Sequence, residues 1–430
     1  MRYLNQLILV LILISLSGCS HSPSEKPIST STLPFLPTLA ATTSKMPTST
    51  MQPTKTIKPT QIKIRNTSTP SIPPPSILNY TCIEIDPQLP TYAKLPGTLV
   101  LSGSTSYLLN FAKGSLKEIP GALGYGVSPD GKWLSYVIYE ESSNWLFIQA
   151  ENESPRKLFA LENELLFFRT VPWIDKQHIA VNKFTGRRAG YIPPVVIINP
   201  FTGETQELPT DYPGYLYFDG LGGFNFGYAS AVYDPSLNLV VYPESSTAAY
   251  IVLYDRQVKK ALAKIQGPNW GHLPLWFPDS LQFVIVTDLE STTDPSDKMD
   301  TWFSVSRDGY VRQLTHFQDY FKYTSIENAS ISPDGHYLAF WLEVRPGPVQ
   351  GQRLAVMDME TFEVTDYCIP GAYEGIDDNT PVWSPDSRYI AVTNFYEVNS
   401  RQSILFDLQE EWAAYIGREE IPVGWLVWER

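Results

Sequence analysis

The sequence predicts an all-β fold built from repeated four-stranded units, and three observations lead to this prediction. An apolar phrase with a turn at its start, residues 331–341 (ISPDGHYLAFW), recurs along the chain. The runs that flank each copy are rich in β-branched and aromatic residues, which are enriched in strands. No long stretch shows the 3.6-residue hydrophobic spacing of an amphipathic helix, so we expect few helices.

The recurring phrase combines a tight turn with a strand. Clear copies occupy 127–137, 276–286 and 383–393, and looser copies occupy 173–181 and 232–242. In Ser-Pro-Asp-Gly, proline fixes φ, aspartate accepts hydrogen bonds from backbone N–H groups, and glycine tolerates a positive φ. A strand before this turn and three strands after it would complete one four-stranded repeat.

The spacing of the repeats indicates a β-propeller. The prolines at 235, 278, 333 and 385 are 43, 55 and 52 residues apart, and one propeller blade takes about 40–50 residues. Six copies are visible. A seventh blade can be assembled from three strands within 97–120 and one strand at 422–428. Closing the ring with strands from both chain ends pairs backbone groups that would otherwise be exposed.

We therefore predict a seven-bladed β-propeller of four-stranded antiparallel blades. The alternative is a six-bladed ring, which would leave 97–120 as a separate hairpin packed on the outside. The Ser-Pro-Asp-Gly repeats, each followed by an apolar strand, resemble those of TolB-like, WD-repeat-like propellers over residues 95–430. This resemblance implies a fold and leaves the ligand open.

The N-terminal residues are typical of a secretory signal. One basic residue, Arg2, precedes an apolar run over 4–16 and the sequence Leu16-Ser17-Gly18-Cys19. Leu-Ser-Gly-Cys resembles the bacterial lipobox, which implies that Cys19 is diacylated and anchors the protein to a membrane. The alternative, an uncut transmembrane helix, would need about 20 apolar residues. We expect a signal peptide over 1–18 and an extracytoplasmic, lipid-anchored location in the bacterial cell envelope.

The next segment, 19–79, is predicted to be a disordered linker that begins at the lipidated cysteine. Residues 20–76 contain eleven prolines, many serines and threonines, and almost no aromatic residues. Such a composition cannot bury enough apolar surface to offset the entropy of ordering. A lead-in segment over 80–96 would follow, and then the propeller over 97–430.

The charge of the chain argues against nucleic acid as a partner. The whole chain carries a formal charge of −13, and Arg2 and the linker together carry +6, so residues 80–430 carry −19. A strongly acidic domain repels phosphate backbones. The basic linker could contact anionic lipid or cell-wall polymer, or its lysines could simply keep it soluble. We expect a monomer that meets a protein or glycan partner in the envelope and contacts the membrane through its anchor only.

Cys82 and Cys368 remain after Cys19 and could form one disulfide outside the cytoplasm. Such a bond would fix the lead-in segment to the outer edge of the domain. It requires a Cα separation of about 4.4–6.8 Å, which the sequence leaves open.

The two faces of the predicted ring differ in their connections. Ser-Pro-Asp-Gly turns and the turns between third and fourth strands share one face, which we call the plain face. The other face, the loop face, carries the connections between second and third strands and those between blades. Its long loops lie at 183–194, 209–230, 288–300 and 343–352. Because long loops on a rigid scaffold are common binding sites, we expect ligands on the loop face.

The loop at 209–230 supplies the first group of candidate binding residues, which are aromatic: Tyr215, Tyr217, Phe226 and Tyr228. Exposed aromatic rings can stack on sugars or hold a partner protein; alternatively, these rings cap the core. A second group precedes the inner strands and would surround the mouth of the central channel: Arg169, Tyr228, His272, Asn328, Asp378 and Asn379. That mouth could hold a small polar ligand or only water.

We predict no catalytic residue, metal site or cofactor. Repetition of Asp130, Asp279, Asp334 and Asp386 at one place in the blades indicates turn caps, and the acidic loop at 288–300 lacks the order of a calcium loop. The leading function is a binding or scaffold module for a protein, peptide or glycan.

Two other functions remain open for the chain. One is a structural component of an envelope complex. The other is a carbohydrate-active enzyme, because related propellers include metal-dependent polysaccharide lyases that use clustered histidines. The four histidines of the domain lie in different repeats and form no H-x-H pair: His178, His272, His316 and His336.

Overall fold

A computed structural model describes residues 78–428 of the chain with internal gaps. The gaps are 91–94, 104, 123, 141–142, 162–164, 167–168, 171–172, 184–194, 209–231, 244–249, 267–273, 289–297, 348–350, 372–378, 398–399 and 419. The described residues are all-β, with one short 3-10 helix at Phe317–Asp319. Among them, no helix has the length and apolar character to cross a membrane.

The strands form seven sheets, which are the seven blades of a propeller. The lead-in strands are β1 (Leu78–Tyr80) and β2 (Ile85–Asp86). The first three strands of the ring are β3 (Thr98–Ser102), β4 (Ser106–Asn110) and β5 (Ser115–Ile119). Blade 1 contains β6 (Gly124–Val127), β7 (Trp133–Glu140), β8 (Ser143–Ala150) and β9 (Arg156–Leu161). Blade 2 contains β10 (Leu165–Leu166), β12 (Ile179–Lys183), β13 (Val195–Ile198) and β14 (Thr205–Leu208), and β11 (Arg169–Thr170) lies between its first two strands in sequence.

The remaining blades follow in chain order. Blade 3 contains β15 (Val232–Tyr233), β16 (Leu239–Pro243), β17 (Tyr250–Asp255) and β18 (Lys260–Gln266). Blade 4 contains β19 (Leu275–Trp276), β20 (Gln282–Asp288), β21 (Asp300–Ser306) and β22 (Val311–Gln313). Blade 5 contains β23 (Tyr323–Ile331), β24 (Tyr337–Arg345), β25 (Arg353–Asp358) and β26 (Val364–Pro370). Blade 6 contains β27 (Val382–Trp383), β28 (Tyr389–Glu397), β29 (Ser400–Asp407) and β30 (Trp412–Arg418).

The ring closes in blade 7, where the last strand of the chain, β31 (Ile421–Leu426), pairs with β3. The register joins Thr98 to Leu426 and Ser102 to Ile421. This pairing confirms the predicted seven-bladed ring. The six-bladed alternative is wrong because residues 97–120 belong to a blade of the ring.

Strand β24 shows why the sequence of a blade is continuously apolar. Leu338, Phe340 and Leu342 are buried against blade 4, while the alternate residues Ala339 and Trp341 are buried against blade 6. Successive side chains of a strand point to opposite faces of its sheet. Both faces of the blade therefore contribute to the hydrophobic core, which lies between neighbouring blades.

Residues 78–86 span the end of the predicted linker and the start of the predicted lead-in segment. They add a fifth strand to two blades, and we call them the strap. Strand β1 runs parallel to β26, with Tyr80 opposite Asp366. Strand β2 runs parallel to β30, with Ile85 opposite Ala413. Between them, the backbone N–H of Ile83 donates to the carbonyl of Tyr367 over 3.2 Å. The strap thus covers the outer edges of blades 5 and 6.

A disulfide between Cys82 and Cys368 fixes the strap to blade 5, with a Cα separation of 4.8 Å. The predicted position of this bond at the outer edge of the domain agrees with the structure. Cys368 has a φ of 57° and lies where the register of β25 and β26 shifts. The bond joins residues 286 positions apart, so it constrains most of the domain.

We expect a Cys82→Ser and Cys368→Ser double variant to lose about 2–5 kcal/mol of unfolding free energy, because the unfolded chain regains the entropy of an open loop. Urea denaturation measures the loss, and hydrogen exchange should become faster in residues 78–86. Reductant should destabilise the natural chain and leave the double variant unchanged. Equal stability of the oxidised and reduced natural chain would contradict this role.

Candidate functional site

The plain face contains the repeated turns, in which the aspartates already accept hydrogen bonds from their own turn. In the turn at 332–335, Ser332 Oγ donates to Asp334 Oδ1 over 2.6 Å. The His336 backbone N–H donates to the same oxygen over 3.0 Å, and Gly335 has a φ of 77°. Burial raises the pKa of Asp334, but hydrogen bonds from Ser332, the His336 backbone and Ser387 outweigh it and hold the pKa below 3.8.

The other copies of the turn use their aspartates in the same way. Ser128 Oγ donates to Asp130 over 2.7 Å, Ser384 donates to Asp386, and the Leu281 N–H donates to Asp279 over 2.9 Å. The predicted turn-capping role of these aspartates is confirmed. Within the described ranges, no three His, Cys, Asp or Glu side chains come together in a way that could hold a metal ion.

Asp334 should stabilise the fold in a pH-dependent way. Because its folded-state pKa is lowered, its contribution is present above about pH 4 and is lost as the pH falls through the folded value. We expect Asp334→Ala to cost about 1 kcal/mol at neutral pH. Asp334→Asn keeps an acceptor but cannot titrate, so its melting temperature should fall less steeply in acid than that of the natural chain. If the melting temperatures of Asp334→Asn and the natural chain fall equally steeply with decreasing pH, Asp334 does not have this role.

The loop face carries a charged group that joins two blades. Between blades 4 and 5, Lys298 Nζ lies 3.1 Å from Asp300 Oδ2 and donates to Ser325 Oγ over 3.0 Å. The same Asp300 oxygen accepts the Ile326 N–H over 2.9 Å. Burial lowers the pKa of Lys298, but Asp300 and other acidic neighbours outweigh it, so the pKa is raised and the ammonium stays charged.

An arginine is displayed at the loop-face end of β24. Arg345 Nε and Nη2 each lie 2.8 Å from Glu343 Oε1. The guanidinium also lies over the ring of Tyr323, 4.2 Å from its centroid. The Glu343 side chain is 8% exposed and the Arg345 side chain is 56% exposed. A buried carboxylate therefore positions an accessible planar cation, which is suited to recognise carboxylates or carbonyl groups.

Blades 5 and 6 meet at the loop face through Trp341 and Asn379. The buried indole N–H of Trp341 donates to the Asn379 carbonyl. Asn379 Oδ1 accepts the Thr393 backbone N–H over 3.2 Å. Asn379 is 2% exposed, so this predicted residue lies inside the joint between two blades.

The structure places three of the predicted channel-mouth residues. Asn379 precedes the inner strand β27 as expected. Asn328 lies within β23, because this strand is nine residues long and begins at Tyr323, well before the Ser-Pro-Asp-Gly turn. Arg169 belongs to β11, which runs parallel to the inner strand β6 of blade 1. The expected position in front of an inner strand is therefore wrong for Asn328, which lies inside its strand.

Other predicted binding residues lie outside the described residues: Tyr215, Tyr217, Phe226, Tyr228, His272 and Asp378. Cys19 lies outside them as well. Sequence reasoning missed Trp341, Gln352 and Asn394 at the joint of blades 5 and 6. Trp341 belongs to the core side of the repeat phrase. Gln352 directly precedes β25 and Asn394 lies within β28, and neither has a motif around it. Only strand register brings them together.

No family model matches the sequence, and no curated protein does either. TolB from Acinetobacter baumannii aligns with a TM-score of 0.40 and 13% identity over 76% of this chain and 63% of the TolB chain. This chain therefore spans less than two thirds of the TolB length.

Two propellers with enzyme names also align. An oligogalacturonate lyase in complex with manganese gives a TM-score of 0.49 and 14% identity over 76% of this chain and 86% of its own. A periplasmic gluconolactonase from Pseudomonas aeruginosa aligns with a TM-score of 0.45 and 14% identity over 77% of this chain and 97% of its own. At such identities the likeness concerns the fold, and the solved structures that resemble this seven-bladed chain include TolB propellers.

Proposed function

We propose that this chain is a lipid-anchored, extracytoplasmic β-propeller that binds a protein, peptide or glycan partner through its loop face. The observation that carries the proposal is the contrast between the two faces. The four repeated aspartates of the plain face are held in their own turns, whereas the loop face displays Arg345 on a rigid base of Glu343 and Tyr323. A preorganised arginine beside an aromatic ring is typical of binding hot spots.

A second support is the length of the loops on that face. The connections predicted to bind lie at 183–194, 209–230, 288–300 and 343–352, whereas the plain-face turn at 332–335 closes within four residues. Long connections on a rigid scaffold can change sequence without cost to the core. The loop face is therefore the side on which a partner can be selected.

The test of the binding face compares two charge reversals in the full-length protein. Arg345→Glu alters the loop face, and Lys132→Glu alters the plain face, where the Lys132 side chain is 68% exposed. Cross-linking in the intact envelope and a glycan array both report binding. We expect at least a tenfold loss with Arg345→Glu and no loss with Lys132→Glu. Loss with Lys132→Glu alone would show that the partner uses the plain face.

A companion variant tests the aromatic loop. Alanine at Tyr215, Tyr217 and Phe226 together should remove partner capture and leave the melting temperature unchanged. Unchanged capture with a lower melting temperature would assign these rings to the core. The anchor has its own test: Cys19→Ser should move the protein from the membrane fraction to the soluble extracytoplasmic fraction.

A further inference from the structure

We propose that the joint of blades 5 and 6 at the loop face contains a binding cleft for a small neutral ligand rich in hydroxyl groups, such as a sugar. This inference rests on the proposed function, because it assumes that the loop face is the binding face. We call the site the amide cleft. It consists of Glu343 and Gln352 from blade 5 and Asn379 and Asn394 from blade 6.

Strand register brings the two blade 5 residues together. Glu343 lies two positions after Trp341 on β24, so its side chain shares the face that packs against blade 6. Leu342 pairs with Arg353, and continuing this antiparallel register places Glu343 opposite Gln352. The Gln352 carbonyl also accepts the Gly371 N–H over 2.8 Å, which holds the end of β26 beside the pair.

Register brings the blade 6 residues together in the same way. Val382 pairs with Ala391, and continuing this register places Asn379 opposite Asn394. Asn394 lies two positions after Val392, a core residue that packs against blade 5. The hydrogen bond from Trp341 to the Asn379 carbonyl joins the two pairs across the joint. Four polar residues therefore lie at one joint between two blades.

Three of these side chains are buried with donors that no protein atom uses. The exposed fractions are 7% for Gln352, 2% for Asn379 and 1% for Asn394. Gln352 Nε2, Asn379 Nδ2 and Asn394 Nδ2 have no hydrogen-bond partner. Buried amides are nearly always paired in folded proteins. Three unpaired amide nitrogens at one joint indicate a site built to receive acceptor atoms from elsewhere.

The fourth side chain decides which acceptors fit. The Glu343 carboxylate, itself 6% exposed, pairs with Arg345 through Oε1 and offers acceptor oxygens but no donor. A hydroxyl group both donates and accepts, so it can satisfy an amide nitrogen and a carboxylate oxygen together. A ligand with several hydroxyls matches this donor and acceptor set, whereas a free carboxylate or phosphate does not. Because the amides are buried, the side chains of Gln352 and Asn394 must rotate when the ligand enters.

The experiment uses apolar replacements of similar volume in the full-length protein. Each of the variants Gln352→Met and Asn394→Leu replaces a buried amide that has an unpaired nitrogen with an apolar group. The melting temperature without ligand should therefore rise, by about 2 °C. Binding of D-glucose, D-galactose, N-acetylglucosamine and glycerol is measured by saturation-transfer NMR and calorimetry, with D-galacturonate as the anionic probe. We expect the natural chain to bind at least one neutral probe, and each variant to bind it at least tenfold more weakly.

The control is Gln149→Met. Gln149 is 3% exposed, lies in blade 1 and has an unpaired Oε1, so its replacement should leave probe binding unchanged. The proposal is overturned if the natural chain binds no neutral probe, if D-galacturonate binds more tightly than every neutral probe, or if both variants keep full affinity. Lower melting temperatures in both variants would also overturn it, since the amides would then have a structural role.

The two proposals fail in different experiments. Loss of partner capture with Arg345→Glu and no binding of any neutral probe would remove the amide cleft and keep the loop face as the binding face. Probe binding that depends on Gln352, without any effect of Arg345→Glu on capture, would keep the cleft and remove the proposed macromolecular face.

Discussion

Gly97→Ala is expected to destabilise the propeller by about 3–5 kcal/mol, the range reached when a backbone clash cannot relax. Gly97 has a φ of 66°, and a Cβ added there would lie 2.0 Å from the carbonyl oxygen of Leu426. That oxygen belongs to β31, which closes the ring against β3. The added methyl group would have to separate β3 from β31, the two strands that close the ring. Urea denaturation would measure the loss of unfolding free energy.

Gly114→Ala is the matched control for the clash. Gly114 has a similar φ of 57°, but a Cβ there would have no atom within 4 Å. This variant should lose only about 1 kcal/mol, the cost of an alanine in the left-handed region. The difference between the free-energy losses of the two variants measures the cost of the steric clash at Gly97. Equal losses would show that ring closure does not depend on close approach at Gly97.

Asp366→Ala should cost about 3–5 kcal/mol, because it leaves the buried Arg353 guanidinium without its carboxylate. Arg353 Nε lies 2.7 Å from Asp366 Oδ2, and the two side chains are 1% and 0% exposed. Asp366 Oδ1 also accepts the Cys368 N–H over 2.8 Å. Removal of one carboxylate would thus weaken the centre of blade 5 and the backbone beside the disulfide.

The control for burial is Glu140→Ala. Lys157 Nζ lies 2.8 Å from Glu140, about the same separation, but the two side chains are 36% and 41% exposed. Loss of this exposed ion pair should lower the unfolding free energy by no more than about 1 kcal/mol. If the two variants lose equal free energy, burial does not set the strength of these pairs.

The buried pair should also tolerate replacement by apolar residues. Burial raises the pKa of Asp366, and the Arg353 guanidinium offsets only part of that rise. A raised folded-state pKa means that the group favours folding most at low pH, and that this contribution is lost as the pH rises through the folded value. We expect an Arg353→Met and Asp366→Leu double variant to be about as stable as the natural chain at neutral pH.

The sequence predicted the ring because the repeat phrase itself contains the turn and the core strand of a blade. Its spacing matched the length of one blade, and the runs at 97–120 and 422–428 supplied the strands of the seventh. The strap could not be predicted, because β1 and β2 are only three and two residues long. Their pairing with β26 and β30 depends on positions in the assembled ring and leaves no periodic pattern in the sequence.

The candidate site was predictable only in part. Asn379 was found because it directly precedes an inner strand, whereas Asn328 was misplaced because β23 extends past the repeat phrase through a register shift after Glu327. Gln352 and Asn394 carry no local signal at all. Their meeting depends on two strand registers and on the packing of one blade against the next, neither of which a single sequence specifies.

The strap has a mechanical consequence. Tension applied to the chain before Leu78 reaches β1 first. Behind β1, the disulfide at Cys82 joins the strap covalently to β26 on the outer side of blade 5. The closing pair of β3 and β31 follows later along the chain and lies on another blade. A pull from the N-terminal side therefore loads the outer side of blade 5, and the seam of the ring is spared.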